Sequence, residues 1–122
     1  MKLRGVRGAT TCTGDSKNEI MDAVKELWLK MHEQNAFAED DLAAVIFSST
    51  PDLSAAFPAT AVRALGWTQT PLFGAAEIEQ PEAVKRCVRI LALWNTDKEQ
   101  KDIKHVYLRA AVALRPDIAG GK

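Results

Sequence analysis

A mixed α/β domain is the fold class this sequence predicts, and three observations predict it. Five short stretches read as strands, with apolar or small residues at strand spacing. One long stretch repeats apolar residues at helical spacing, and a shorter helical stretch lies between turn signals. The expected architecture is a mixed sheet of about five strands with one long and one short helix.

Leu3 to Thr11 is the first predicted strand. Arg4, Val6, Gly8 and Thr10 share one face, and Gly5, Arg7 and Ala9 take the other. Two glycines inside a strand mark close backbone approach. Arg7 therefore faces either solvent or a ligand among small neighbours. Gly14-Asp15-Ser16 opens a helix, with Ser16 and Glu19 spaced as a capping box. Ile20, Ala23, Val24, Leu27, Trp28 and Met31 form its apolar stripe. Glu26 and Lys30 stand at favourable i,i+4 spacing on the other side, and the helix should end near Asn35.

Leu42 to Ser48 reads as a buried strand ending in the turn cluster Ser49-Thr50-Pro51-Asp52. Pro58 suits a first helical turn, and Ala59 to Leu65 is a short helix carrying Arg63, stopped by Gly66. Phe57 either staples that helix or offers an exposed wall to a ligand. Pro71 to Ala76 is a small-residue strand containing Phe73; Gly74, Ala75 and Ala76 leave room for something to approach the backbone. It leads to Glu77, which taken alone is a solvated carboxylate.

Cys87 to Trp94 is the strongest strand signal. Cys87, Arg89, Leu91 and Leu93 share one face; Val88, Ile90, Ala92 and Trp94 share the other. Apolar residues on both sides predict that both are covered. Arg89 is then either a stem-buried arginine whose head reaches water, or a preorganised cation facing an anionic ligand. Lys98 to Asp102 is a charged turn, and Lys104 to Arg109 the last predicted strand. Tyr107 on it is either core or a donor to a ligand. Ala110 to Leu114 is small and apolar, and Arg115-Pro116-Asp117 begins a tail.

The 122 residues suit one domain, taken as residues 1–117 with a flexible tail at 118–122. Sixteen basic residues balance sixteen acidic ones, so nothing favours a nucleic-acid partner. Cys12, Cys87, His32 and His105 are scattered and show no metal-ligand spacing. The start has no apolar signal-peptide core, and no apolar run is long enough to span a membrane, so the expectation is a cytoplasmic protein. Apolar residues exceed what one helix and a small sheet cover, which points to an oligomer. No nucleophile–base motif and no phosphate-binding glycine loop is present. Four arginines near apolar or small residues remain: Arg7, Arg63, Arg89 and Arg115. Bidentate donors of this kind suit a small anionic metabolite.

Six stretches carry a resemblance. They are Arg4-Gly5-Val6-Arg7-Gly8-Ala9-Thr10-Thr11, Ser49-Thr50-Pro51-Asp52-Leu53, Ala56-Phe57-Pro58-Ala59, Cys87-Val88-Arg89, His105-Val106-Tyr107-Leu108 and Leu114-Arg115-Pro116-Asp117. In order and with compatible spacing, they resemble the monofunctional chorismate mutases of the trimeric α/β-barrel type. The resemblance implies a pseudo-α/β-barrel homotrimer with sites between subunits. It implies the rearrangement of chorismate to prephenate, in aromatic amino acid biosynthesis, with no metal, cofactor or covalent intermediate. It further implies Arg89 as donor to the substrate's ether oxygen, Glu77 as acceptor from the ring hydroxyl, and Arg7 and Tyr107 as carboxylate donors. Phe57 and Leu114 would be apolar walls, Phe73 to Ala76 backbone and wall contacts, and Arg63 and Arg115 neighbours of the mouth. Two positions depart from the family pattern: Gly74 stands where some members have cysteine, and Thr60 where the residue can be basic. Enamine/imine deaminases share a trimer of similar shape with an arginine in an intersubunit cleft, but the in-register motifs favour the mutases. A non-catalytic sensor of an aromatic-pathway metabolite is the reading from outside enzymology.

Overall fold

The strands form one mixed sheet with the helices on a single face, in a computed structural model that describes residues 1–114. Arg115 and the expected tail at 118–122 lie outside the described residues. The elements are β1 (Lys2–Thr11), α1 (Lys17–Asn35), β2 (Leu42–Ser49), α2 (Pro58–Ala64), β3 (Leu72–Ala76), β4 (Cys87–Thr96) and β5 (Val106–Tyr107). The sheet order is β3-β2-β4-β1-β5. β4 runs antiparallel to both β1 and β2, whereas β3 on β2 and β5 on β1 are parallel.

Register sorts the side chains by face. Val6 pairs with Ala92, Gly8 with Ile90, Thr10 with Val88, and Phe47 with Ile90, and all of these are buried under the helices. α1 supplies Ile20, Ala23, Val24, Leu27, Trp28 and Met31 to that layer, each fully buried. Each such large apolar side chain contributes about 1.5–3 kcal/mol on burial. Gly8 is required by this contact: a Cβ there would run into Met31 Sδ and Leu27 Cδ1. An aromatic cluster closes one end, with Trp28 5.1 Å from Trp67 and 5.3 Å from Phe37, and His32 stacked edgewise on both Phe37 and Trp67. His32 is structural.

The opposite face is open in the single chain, which corrects the expectation that the Arg89 strand is covered on both sides. Arg89 itself is exposed, and Leu91 and Leu93 are half-buried. One layer of helices covers only one face.

Local signals set the helix ends. Ser16 Oγ accepts from the Glu19 N–H, one half of the expected capping box, and the Glu19 carboxylate accepts from the Ser16 hydroxyl. Ala36, at φ 59°, ends α1. The expected Glu26–Lys30 pair is not formed: Glu26 pairs with Arg109 at 3.2 Å, and Lys30 pairs with Glu33. The last strand is shorter than Lys104–Arg109. Asn35 takes both the N–H and the C=O of Lys104 with its side chain, and Arg109 turns into the left-handed region at φ 54°. A short 3₁₀ helix, Arg109–Leu114, follows. No helix of the described residues is long and apolar enough to cross a membrane.

Candidate active site

The open face gathers Arg7, Arg89 and Glu77 from the charged residues that the sequence singles out. β1 and β4 place Arg7 opposite Leu91 and Ala9 opposite Arg89, so Arg7 and Arg89 project to the same side two rungs apart. β5, pairing with β1 through Ala9, brings Tyr107 alongside. The turn after it brings Leu114. Arg7, Arg89, Tyr107 and Leu114 line one cavity of about 380 Å³, with Ala9, Ile46, Ser48 and Leu91 as further lining.

Glu77 stands just past β3 and joins this group from the β2 side. Its backbone N–H donates to Ser49 C=O at 2.9 Å, which fixes the segment. Its Oε2 lies 3.3 Å from Arg89 Nε and accepts from Ser48 Oγ at 2.8 Å. The Glu77 side chain is only 16% exposed, and that of Arg89 is 48% exposed. The ion pair runs through Nε of Arg89. Half-exposed and lining the cavity, the guanidinium stays accessible to a ligand, as a ligand-facing cation requires.

A second cavity of about 370 Å³ adjoins the first through Ser48. Phe57, Gly74, Ala75 and Ala76 line it together with Leu53 and Pro58. It has no charged lining, so the recognition of an anion belongs to the first cavity. Phe57 is 81% exposed, which excludes its reading as a helix staple. Phe73 lies on the open face at 66% exposure, paired with Ile46, and lines neither cavity. Arg63 is exposed on α2 and also lines neither. A Cβ at Gly74 would meet nothing within 4 Å, so the missing side chain simply widens the cavity.

Beneath Arg89 lies the Cys87 thiol, fully buried; burial pushes its pKa up to about 11, with the Glu77 charge adding to the effect and Arg89 opposing it. The thiol is thus neutral and not a nucleophile at ordinary pH.

A family model for chorismate mutase type I matches residues 3–118. The chain belongs to that family. It is 50% identical over 117 residues to a chorismate mutase AroH of Thermus thermophilus, covering 95% of this chain and 96% of that protein. It is 42% identical over 120 residues to a chorismate mutase AroH of Bacillus subtilis, covering 98% and 94% respectively. A solved chorismate mutase from Clostridium thermocellum superposes with a TM-score of 0.87 at 45% identity, over 89% of this chain and 97% of that one. As a type I chorismate mutase the protein is an isomerase, and its sheet with one-sided helices is the fold of that neighbour.

Ser48 is the residue that sequence reasoning missed in this chorismate mutase. As the last residue of a predicted strand it carried no motif; only the pairing of Ser48 with Arg89 across β2 and β4 reveals it. Ile46, its neighbour on the same face, was hidden for the same reason.

Proposed function

We propose that this chain converts chorismate to prephenate with Arg89 as the principal catalytic group. As the C–O bond breaks ahead of C–C bond formation, negative charge grows on the ether oxygen. A fixed cation aimed at that oxygen binds the transition state better than the ground state. Glu77 accepts from the ring hydroxyl, and Ser48 and Arg89 hold it in place for that task. Arg7 and Tyr107 donate to a substrate carboxylate. Leu114 and Phe57 are apolar walls, and Phe73 to Ala76 contact the ring and its substituents. In the family pattern Arg63 would lie near the mouth and attract the dianion, a role that the pattern gives also to Arg115, outside the described residues. The cavity holds the reactive conformer, which lowers the entropic part of the barrier. The product fits the branch to aromatic amino acids.

The observation that carries this reading is the convergence of Arg7, Arg89 and Tyr107 on one cavity, with Glu77 fixed 3.3 Å from Arg89. We read the working molecule as a homotrimer of domains spanning residues 1–117, with each site completed by a neighbouring copy. The support is the bare face on which the arginines lie, and the exposure of Phe57 and Phe73 beside it. No nucleic acid or membrane is needed in this reading, and a cytoplasmic location suits it.

The test is turnover of chorismate, followed by loss of its ultraviolet absorbance, in the wild type and in Arg89→Lys. Lysine keeps the charge and loses the guanidinium fork. Removing one such donor typically costs about 10²-fold or more in kcat. A kcat within about twofold of wild type would refute the role of Arg89. Light scattering on the same sample tests the trimer, and a monomer that turns over chorismate at full rate would refute it.

A further inference from the structure

We propose that Asp52 is a positioning residue for this reaction: together with Thr50 it clamps the start of β4 and so sets the aim of Arg89. The proposal rests on the reading of Arg89 given above.

Arg86, immediately before β4, is held at φ 47°, in the left-handed region that residues with a Cβ avoid. Such a conformation persists only where its surroundings over-determine it. Here they do. The Arg86 N–H donates to Asp52 Oδ2 at 2.9 Å, and the Arg86 C=O accepts from the Cys12 N–H at 2.8 Å. The next residue is held as firmly. The Cys87 N–H donates to Thr50 Oγ1 at 2.9 Å, and the Cys87 C=O accepts from the Thr50 N–H at 3.0 Å. The Thr50 hydroxyl in turn donates to Asp52 Oδ1, so both carboxylate oxygens are engaged, one on each half of the clamp. Burial alone would raise the Asp52 pKa, but the Thr50 hydroxyl and the Arg86 N–H outweigh it and hold the carboxyl below its ordinary range.

Arg89 lies three residues past Arg86, facing Ser48, and Ser48 lies two residues before Thr50. The turn that carries Thr50 and Asp52 thus joins the two strands whose side chains meet on Glu77. A rotation at Arg86 would swing the first rungs of β4 against β2 and move the guanidinium. Neither Asp52 nor Thr50 lines the cavity that holds Arg89. Their effect on turnover would act through backbone placement, where a displacement of about 1 Å can cost on the order of 10²-fold.

The test compares full-length Asp52→Asn and Asp52→Ala with Arg86→Gly and with the double variant Asp52→Asn/Arg86→Gly. Glycine adopts a positive φ without strain, so it should hold the turn with no help from Asp52. Expected are a drop of kcat by about tenfold or more in the Asp52 single variants, a smaller change in KM, and a kcat near wild type in Arg86→Gly. In the double variant kcat should return to within about threefold of wild type. A merely structural aspartate would lower the melting temperature without this selective recovery of turnover. If Asp52→Ala does not fold, the near-isosteric Asp52→Asn and its Arg86→Gly partner carry the test. Asp52→Asn with kcat within about twofold of wild type, or a loss that Arg86→Gly fails to restore, overturns the clamp. If Arg89→Lys abolishes turnover while Asp52 proves inert, the clamp alone is wrong; if Arg89→Lys is itself inert, the reading of Arg89 fails and the clamp falls with it.

Discussion

Ser48 and Arg89 face each other across β2 and β4, and both reach the same oxygen of Glu77. Both contacts converge on Oε2. One oxygen thus anchors the side chain, which is the placement that the proposed role of Glu77 needs. The arrangement also partly balances the Arg89 charge, through Nε, while the residue lines the cavity.

Removing the anchor should therefore show in substrate binding. In Ser48→Ala, Glu77 loses a hydrogen bond to a charged acceptor, typically ~1.5–3 kcal/mol, and the carboxylate is free to turn wholly onto Arg89. We expect KM to rise by about tenfold, with kcat falling by less than about threefold. Steady-state kinetics on chorismate check this, and an unchanged KM would show that Arg89 alone orients Glu77.

The loop before α2 is tied to the start of α1 by a single carboxylate. Asp15 Oδ1 accepts from the N–H groups of Ser54 and Ala55, and Oδ2 from the Ser54 hydroxyl. Those two N–H groups, followed by the hydroxyl, hold its pKa below the ordinary value. Glu19 is lowered as well, by the Thr13 hydroxyl and then by that of Ser16. A folded pKa below the unfolded one contributes stability above the unfolded pKa, about 3.9 for Asp. That stability is lost as pH falls through the folded value. The melting temperature should thus fall as pH drops below about 4, less steeply in Asp15→Asn than in the wild type. Thermal melts from pH 6 to pH 2.5 measure the two slopes, and equal slopes would refute the assignment to Asp15.

Both cysteines should resist modification in the folded chain. Cys87 is fully buried with its pKa pushed up to about 11, and burial raises Cys12 as well. The thiolate is the reactive form. At pH 8 a chromogenic thiol reagent should titrate neither group in native protein and both in urea. Rapid native labelling of Cys87 would show that the start of β4 opens.

Gly8 is set by contact and not by backbone angle. Gly8→Ala would press a methyl group into Met31 and Leu27 at the sheet–helix interface. Overpacking of this kind typically costs ~1–3 kcal/mol. Urea titration should show a loss in that range, partly recovered in Gly8→Ala/Met31→Ala. No loss would mean that the Met31 side chain finds other space.

Much of this was readable in the chain because period and turn chemistry are local. The Ser16 cap, the α1 stripe and the alternation along β4 each depend on neighbours a few residues away, and each is found as expected. Three features depend on distant partners and were not readable. β5 is cut to two residues because Asn35, about seventy positions earlier, captures the backbone of Lys104. Glu26 leaves Lys30 for Arg109. The Arg89 face stays bare because nothing in a one-dimensional pattern says whether a cover comes from the same chain. The candidate site divides along the same line. Arg7, Arg89 and Tyr107 were found by residue type and resemblance, but Ser48 needed the register.

β3 lies at the rim of the sheet, with Phe57, Phe73 and Ile78 turned to water around it. A strand rim offers a row of free amides and carbonyls that will zip onto any extended polypeptide it meets. A solitary newly made copy is consequently adhesive, and in the proposed trimer finding its mates quickly would also be its protection from clumping. Expression yield should therefore depend on how fast copies meet as much as on how well each one folds.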